Sequence, residues 1–307
     1  MKFVTYSLIN SKDKSIGVIL ENNIYDIYLA SKKSLPNNMI SFIERGDSAL
    51  NIVKDLIQLP DTKFLSPIEE CTLYAPILNP PSLKDAFAFE DHARAGSERI
   101  GISLSEYWYE LPVYYKGNHR EILGPNDVIP WPFYTRKLDF ECEIACVISK
   151  RGKNLSIEEA KNYIFGYMIF NDVSARDIQK KEMALRLGPA KSKDFANVFG
   201  PYLVTKDEID LNTCNLSIKV NNEEWSTGSF KDQYWNFPTL ISHISQEENI
   251  YPGDIIGSGT FYKGCGLDLN RWIQPGDTLE LTISSLGTLT NTIGKPNEQR
   301  ELIYNKK

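Results

Sequence analysis

The sequence predicts a mainly β, α+β protein, with a β-rich unit over residues 76–307 behind a small unit over residues 1–75. Three observations point there. Asp139–Ile148 (DFECEIACVI) alternates strictly between two faces, as a strand demands. Two Pro-Gly-Asp turns, at 252–254 and 275–277, each introduce an apolar run, and Pro followed by Gly suits type II turn geometry. Between the units, YAPILNPPS carries Pro76, Pro80 and Pro81, which can continue neither a helix nor a central strand.

In chain order, the first unit reads as short strands at Lys2–Leu8 and Ser15–Leu20, then a helical stretch over Met39–Leu59 that ends at Pro60. In the second unit, helices are expected to be few. Ser156-Ile-Glu-Glu159 is a capping box opening a helix over Ile157–Tyr163, and Ser174-Ala-Arg-Asp177 is expected to open another. Between them lies the apolar run Tyr163–Phe170, far shorter than the ~20 residues of a membrane span.

Composition narrows the function classes. The 307 residues carry 34 Lys+Arg against 40 Asp+Glu, a formal charge of −6, so there is no basic footprint for nucleic acid or an anionic membrane. The first residues show no apolar core of a signal peptide. Five cysteines without a CxxC pair suggest reduced thiols, and the expected location is the cytoplasm. With only three histidines, an imidazole–thiolate zinc site is poorly supplied. Carboxylates are plentiful, so any metal is expected to be a hard divalent cation: Mg²⁺, Mn²⁺ or Ca²⁺.

The chemistry concentrates on a few segments. On the alternating strand, Asp139, Glu141 and Glu143 share one face, and Phe140, Cys142, Ile144, Cys146 and Ile148 share the other. Same-face neighbours lie about 7 Å apart, so two glutamates can converge on one cation; without it, at least one would have its pKa raised. The competing reading is the wet face of an amphipathic strand. Asp172 follows the apolar run and is either a further site carboxylate or a helix cap. Arg176 and Gln179, three apart, share a helix face able to reach a substrate carboxylate. On sequence alone, His92 reads first as structural or exposed, with catalysis the alternative, and Lys193 as a surface lysine. The glycines of GSGT (257–260) and GCG (264–266) match no phosphate-loop pattern.

Together these segments resemble the fumarylacetoacetate hydrolase family over about residues 82–290. KLDFECEIA is similar to its glutamate-x-glutamate strand and Asn171-Asp-Val-Ser-Ala-Arg-Asp-Ile-Gln179 to its most recognisable motif. Asp85 stands seven residues before His92, Leu111–Gly117 resembles a substrate-side tyrosine loop, Lys193-Asp-Phe matches a lysine site, and Gly257–Leu269 resembles a GSGT…GCGLE segment. The resemblance implies a mixed sheet wrapped into a β-sandwich roll, a small N-terminal domain and a homodimer. It implies that Asp85, Glu141, Glu143 and Asp172 hold one Mg²⁺, Ca²⁺ or Mn²⁺, and that His92 is a general base oriented by Asp268. Lys193 would stabilise an oxyanion, with Tyr115, Arg176, Gln179 and Thr260 on the substrate side.

One departure matters. Where hydrolytic members carry glutamate in that last segment, this chain has Asp268, shorter by about 1.5 Å. Its contact with His92 is expected to lengthen or break unless the backbone compensates. The first functional expectation is a metal-dependent hydrolase cleaving a carbon–carbon bond in an acylpyruvate or fumarylacetoacetate-like β-diketo acid. The alternative is an isomerase, decarboxylase or dehydratase of a 2-oxo or sugar-derived acid, which needs enolisation but no water-activating pair. A third reading is a non-catalytic binder of metal or carboxylate. Substrate selectivity is expected in loops around 90–110 and 230–238.

Overall fold

The computed structural model describes residues 1–296; the last residues of the second expected unit, 297–307, lie outside them. Two sheets face one another. The larger has twelve strands among the described residues. Its main path runs Leu65–Pro67, Asn23–Asp26, Ser15–Leu20, Lys2–Leu8, Asn197–Thr205, Ile164–Asp172, Cys142–Ile148, Ile255–Gly257, Leu83–Ala86, Tyr114–Lys116. The smaller, of five, runs Glu223–Ser229, Asn215–Val220, Thr278–Ile283, Gly287–Ile293, Val128–Ile129. Pairing mixes antiparallel and parallel neighbours, as the expected mixed sandwich requires.

The predicted alternation explains how the layers stack. Cys142, Ile144, Cys146 and Ile148 join a core with Leu216, Ile218, Leu279, Leu281 and Ile283 of the smaller sheet. Ala145 and Val147, on the opposite face, join a second core with Phe3, Phe42, Ile43 and Val53 of the first 75 residues. The strand is therefore covered on both faces, and every residue of Cys142–Ile148 is buried. Near 25 cal/mol per Å² of apolar area, such two-sided burial is the main force holding the layers together.

Three local expectations change. The strand is interrupted: Leu138–Asp139 pairs with Ser174–Ala175, and regular pairing resumes at Cys142. The helical stretch over Met39–Leu59 divides into Met39–Glu44 and Asp47–Gln58, because Gly46 takes a left-handed φ of 57° between them. Ser174-Ala-Arg-Asp177 does open a helix, Arg176–Ala184, but without a side-chain cap, because Ser174 itself lies in a short strand. The Ser156–Glu159 box is present, with a helix of one turn, Ile157–Ala160, continued by a 3₁₀ turn over Lys161–Tyr163. Among the described residues no helix is long and apolar enough to cross a membrane.

Candidate active site

Strand order assembles the site from distant sequence. Tyr115 pairs with Asp85, Asp85 with Gly257, and Gly257 with Ala145, two residues beyond Glu143 on the same face. On the other side of that strand, Cys142 pairs with Asn171, next to Asp172. Neighbouring strands sit about 4.8 Å apart. Tyr115, Asp85, Glu143 and Asp172 thus meet on adjacent strands.

Oxygens of Asp85, Glu143 and Asp172 all lie within 4.8 Å of one another, and all three residues are buried. This rules out the wet-face reading of the strand. Glu143 Oε1 and Asp172 Oδ1 have no hydrogen-bond partner among the described residues. The Gly259 amide donates to Glu143 Oε2 at 2.9 Å and to Asp85 Oδ1 at 3.2 Å. Burial pushes all three carboxyls above their usual range, and their mutual repulsion pushes further at Glu143. Buried, unpartnered carboxylate oxygens are costly unless something satisfies them. An all-oxygen donor set with open valences fits a hard divalent cation.

Glu141 is not in that triad. Its Oε1 accepts from Arg176 Nη2 at 2.8 Å, and its Oε2 pairs with Lys193 Nζ, which pairs also with Asp172 Oδ2. Burial alone would raise the Glu141 carboxyl, but the charges of Arg176 and Lys193 outweigh it and hold it far below the usual range. Burial would likewise lower Lys193, but Asp172 and Glu141 hold its pKa above that of an ordinary lysine. Lys193 is thus an ammonium group 3% exposed within the carboxylate cluster, not a surface lysine.

His92 lies in the first turn of the helix Glu90–Arg99, within the stretch expected to be a loop, and is buried. Its Nδ1 is 2.7 Å from Asp268 Oδ2, and its Nε2 is 4.0 Å from Glu141 Oε1. The expected lengthening of the His92–Asp268 contact does not occur. Asp268 sits on the short helix Gly266–Leu269, whose backbone brings it close enough, and Arg99 Nη2 holds its other oxygen at 3.0 Å. Burial works to raise the Asp268 carboxyl, but the hydrogen bond and charge of His92 prevail and hold it below its usual range.

The remaining expected residues are near but differently engaged. The Tyr115 hydroxyl donates to Asp172 Oδ2 at 2.9 Å, and burial pushes its pKa well up. The Gln179 Oε1 accepts from Arg176 Nη1 at 2.9 Å, and the Thr260 hydroxyl donates to the Cys142 carbonyl at 2.9 Å. Arg176 is buried among Asp139, Glu141 and Gln179 rather than solvated. The other stretch expected to be a loop, 230–238, includes a 3₁₀ turn at Phe230–Asp232 and the start of the helix Phe237–Ile244. In between, Trp235 Nε1 donates to the Trp108 carbonyl at 3.0 Å.

Sequence reasoning missed Arg99 and the Gly259 amide. Arg99 gave no signal beyond being one arginine among many. Gly259 did give one: its φ is 75°, and a Cβ there would lie 2.5 Å from the Ala86 carbonyl, so only glycine brings this amide to the acids. The GSGT glycine serves carboxylates rather than phosphate.

The family described as "Fumarylacetoacetate (FAA) hydrolase C-terminal" matches residues 83–294. The chain is 32% identical to Oxaloacetate tautomerase YisK of Bacillus subtilis over 311 residues, covering 96% of this chain and 100% of that protein. It is 30% identical to the mitochondrial Oxaloacetate tautomerase Fahd2a of Rattus norvegicus, covering 90% and 84%. Among solved structures, the fumarylacetoacetate hydrolase of the psychrophile Exiguobacterium antarcticum is similar with a TM-score of 0.75 and 26% identity, covering 96% of this chain and 99% of that one.

Proposed function

This chain belongs to the fumarylacetoacetate hydrolase family, and from that membership we propose that it is a divalent-metal-dependent enzyme that interconverts the keto and enol forms of a small 2-oxo diacid of the oxaloacetate type. The observation that carries the reading is His92: a buried imidazole, backed by Asp268 at 2.7 Å, beside a cluster of carboxylates and an ammonium group. Likeness to two oxaloacetate tautomerases over nine-tenths or more of this chain supports isomerisation over carbon–carbon hydrolysis.

The chemistry follows from the side chains. Asp268 is held ionised, so it accepts the Nδ1 proton of His92 and leaves the Nε2 lone pair free as a base. Nε2 takes a proton from the methylene carbon beside the substrate carbonyl. The C–H electron pair moves into the new C=C bond, and return of the proton to the carbonyl oxygen completes the enol, with no water consumed. Lys193 and Arg176 place positive charge where the enolate oxygen and the substrate carboxylates carry negative charge. A divalent cation held by Asp85, Glu143 and Asp172, with Glu141 beside them, would polarise the substrate carbonyl. Tyr115 would complete the substrate side through its contact with Asp172.

A second reading, hydrolysis of an acylpyruvate-type carbon–carbon bond, is favoured by the intact His92–Asp268 contact, which could equally activate water. The division of the chain near residue 75, a homodimeric state and a cytoplasmic location accompany the proposal; sedimentation tests the dimer.

The deciding experiment adds Mg²⁺ or Mn²⁺ to metal-stripped protein and follows the enol absorbance of oxaloacetate alongside product mass. Faster keto–enol exchange without fragments supports the tautomerase. Fragment release from an acylpyruvate, without accelerated exchange, moves the chain to the hydrolase reading. Neither activity over a panel of 2-oxo acids removes both.

A further inference from the structure

Asp139 ends the short strand Leu138–Asp139, ahead of the break that precedes Glu141 and Glu143, and its carboxylate lies outside the triad. It is 0% exposed, and its carboxylate accepts from four donors. Oδ1 takes Gly266 N at 2.8 Å and Phe140 N at 2.9 Å; Oδ2 takes Arg176 Nε at 2.7 Å and Leu267 N at 3.0 Å. Two arms leave from it. Gly266 and Leu267 open the four-residue helix that carries Asp268, and Asp268 holds His92. Arg176 holds Glu141 and Gln179.

Neutralising a buried arginine would need one carboxylate oxygen facing Arg176. It would not need both oxygens to be bonded as well to backbone amides of another segment. A one-turn helix has too few internal bonds to set its own orientation, so its first amides depend on an outside acceptor. The backbone is shaped for this approach: a Cβ on Gly266 would lie 2.5 Å from Asp139 Oδ1 and 2.3 Å from the Arg271 carbonyl.

We propose that Asp139 is a positioning residue. It ties the helix presenting Asp268 to the arginine holding Glu141, and so sets the His92–Asp268 pair against the rest of the site. The proposal rests on the reading of His92 as the base, and its test separates the two.

The first readout is the far-downfield proton resonance of the His92–Asp268 hydrogen bond in metal-free protein, assigned by its loss in His92→Ala. The second is the steady-state rate with oxaloacetate and Mg²⁺ across pH. Asp139→Asn keeps the shape but turns an NH₂ toward one pair of donors. It is expected to remove or shift the resonance, move the pH profile, and lower kcat with KM little changed. Displacing a catalytic group by about 1 Å costs on the order of a hundredfold. Gly266→Ala changes no charge but sets a Cβ against Asp139 Oδ1 and the Arg271 carbonyl, so the short helix must shift away from Asp139. It is expected to do the same, and it carries the test if Asp139→Asn does not fold. A folded variant of either kind that keeps the wild-type resonance and pH profile overturns the proposal. Should the resonance vanish while turnover is untouched, the tether stands and His92 is not the base.

Discussion

His92 Nδ1 and Asp268 Oδ2 are 2.7 Å apart although 176 positions separate them in the chain and the acid is an aspartate, one methylene shorter than a glutamate. Arg99, 3.0 Å from the other Asp268 oxygen, keeps that carboxylate from turning away. A base so prepared is expected to carry the proton transfer. His92→Ala should lower turnover by roughly 10²–10⁴-fold while metal binding, read by titration calorimetry, stays as in the wild type. Turnover that survives the substitution would show that the proton is handled elsewhere.

The carboxylate triad predicts how metal and pH interact. Asp85, Glu143 and Asp172 all have raised folded-state pKa values. For an acid so shifted, the folded chain holds its proton more tightly than the unfolded chain does. Without metal, this contribution to stability is present below the ordinary carboxylate pKa of about 4 and is lost as pH rises toward the folded values. A cation competes with those protons. The rise in Tm on adding Mg²⁺ should therefore grow with pH, and Glu143→Gln or Asp172→Asn should abolish it. A pH-independent rise, or one that survives both substitutions, would place the cation elsewhere.

Asp268 has the opposite sign. Its folded pKa is depressed, so its contribution to stability is present above the ordinary carboxylate value and is lost as pH falls through the folded one. Asp268→Asn should therefore remove part of the acid dependence of unfolding, seen as a flatter stability profile at low pH. An unchanged profile would mean that the His92 contact contributes little in solution.

Lys193 pairs with two buried carboxylates at once. Lys193→Met leaves Asp172 without a cation and Glu141 with Arg176 alone, and breaking a buried pair this way costs about 3–5 kcal/mol. Denaturant unfolding of metal-free protein should show that loss, and added Mg²⁺ should recover part of it by supplying the missing positive charge. The raised Lys193 pKa means that its contribution is fully present below the ordinary lysine value and fades only as pH rises through the folded one. No recovery with Mg²⁺ would indicate that lysine and cation serve different carboxylates.

How far the site was legible in sequence depended on how local each signal was. The faces of the carboxylate strand followed from a two-residue period, which packing on both sides preserved. The break after Asp139 did not: Asp139 is drawn to the amides of Gly266 and Leu267, more than 120 residues away, which no local pattern encodes. Arg176 and Gln179 were placed on one face by helical spacing, but their partners come from other segments. The capping box at Ser156 was readable because all its atoms lie within four residues, whereas at Ser174–Asp177 the expected helix opens at Arg176 but strand pairing takes Ser174 and leaves it uncapped.

The GSGT segment yields the last prediction. Gly259 has φ 75°, its amide serves Asp85 and Glu143, and a side chain there would press on the Ala86 carbonyl. Gly259→Ala forces a non-glycine residue into a left-handed conformation, a strain of order 1–3 kcal/mol. It also pushes the amide away from both acids. These carboxyls lose a donor that stabilises their charged forms, so their pKa values should rise further and divalent-metal affinity should fall most at low pH. Calorimetric titration across pH would show the loss shrinking as pH rises. A uniform loss at every pH would mean that Gly259 shapes the backbone around the metal ligands without tuning their charge.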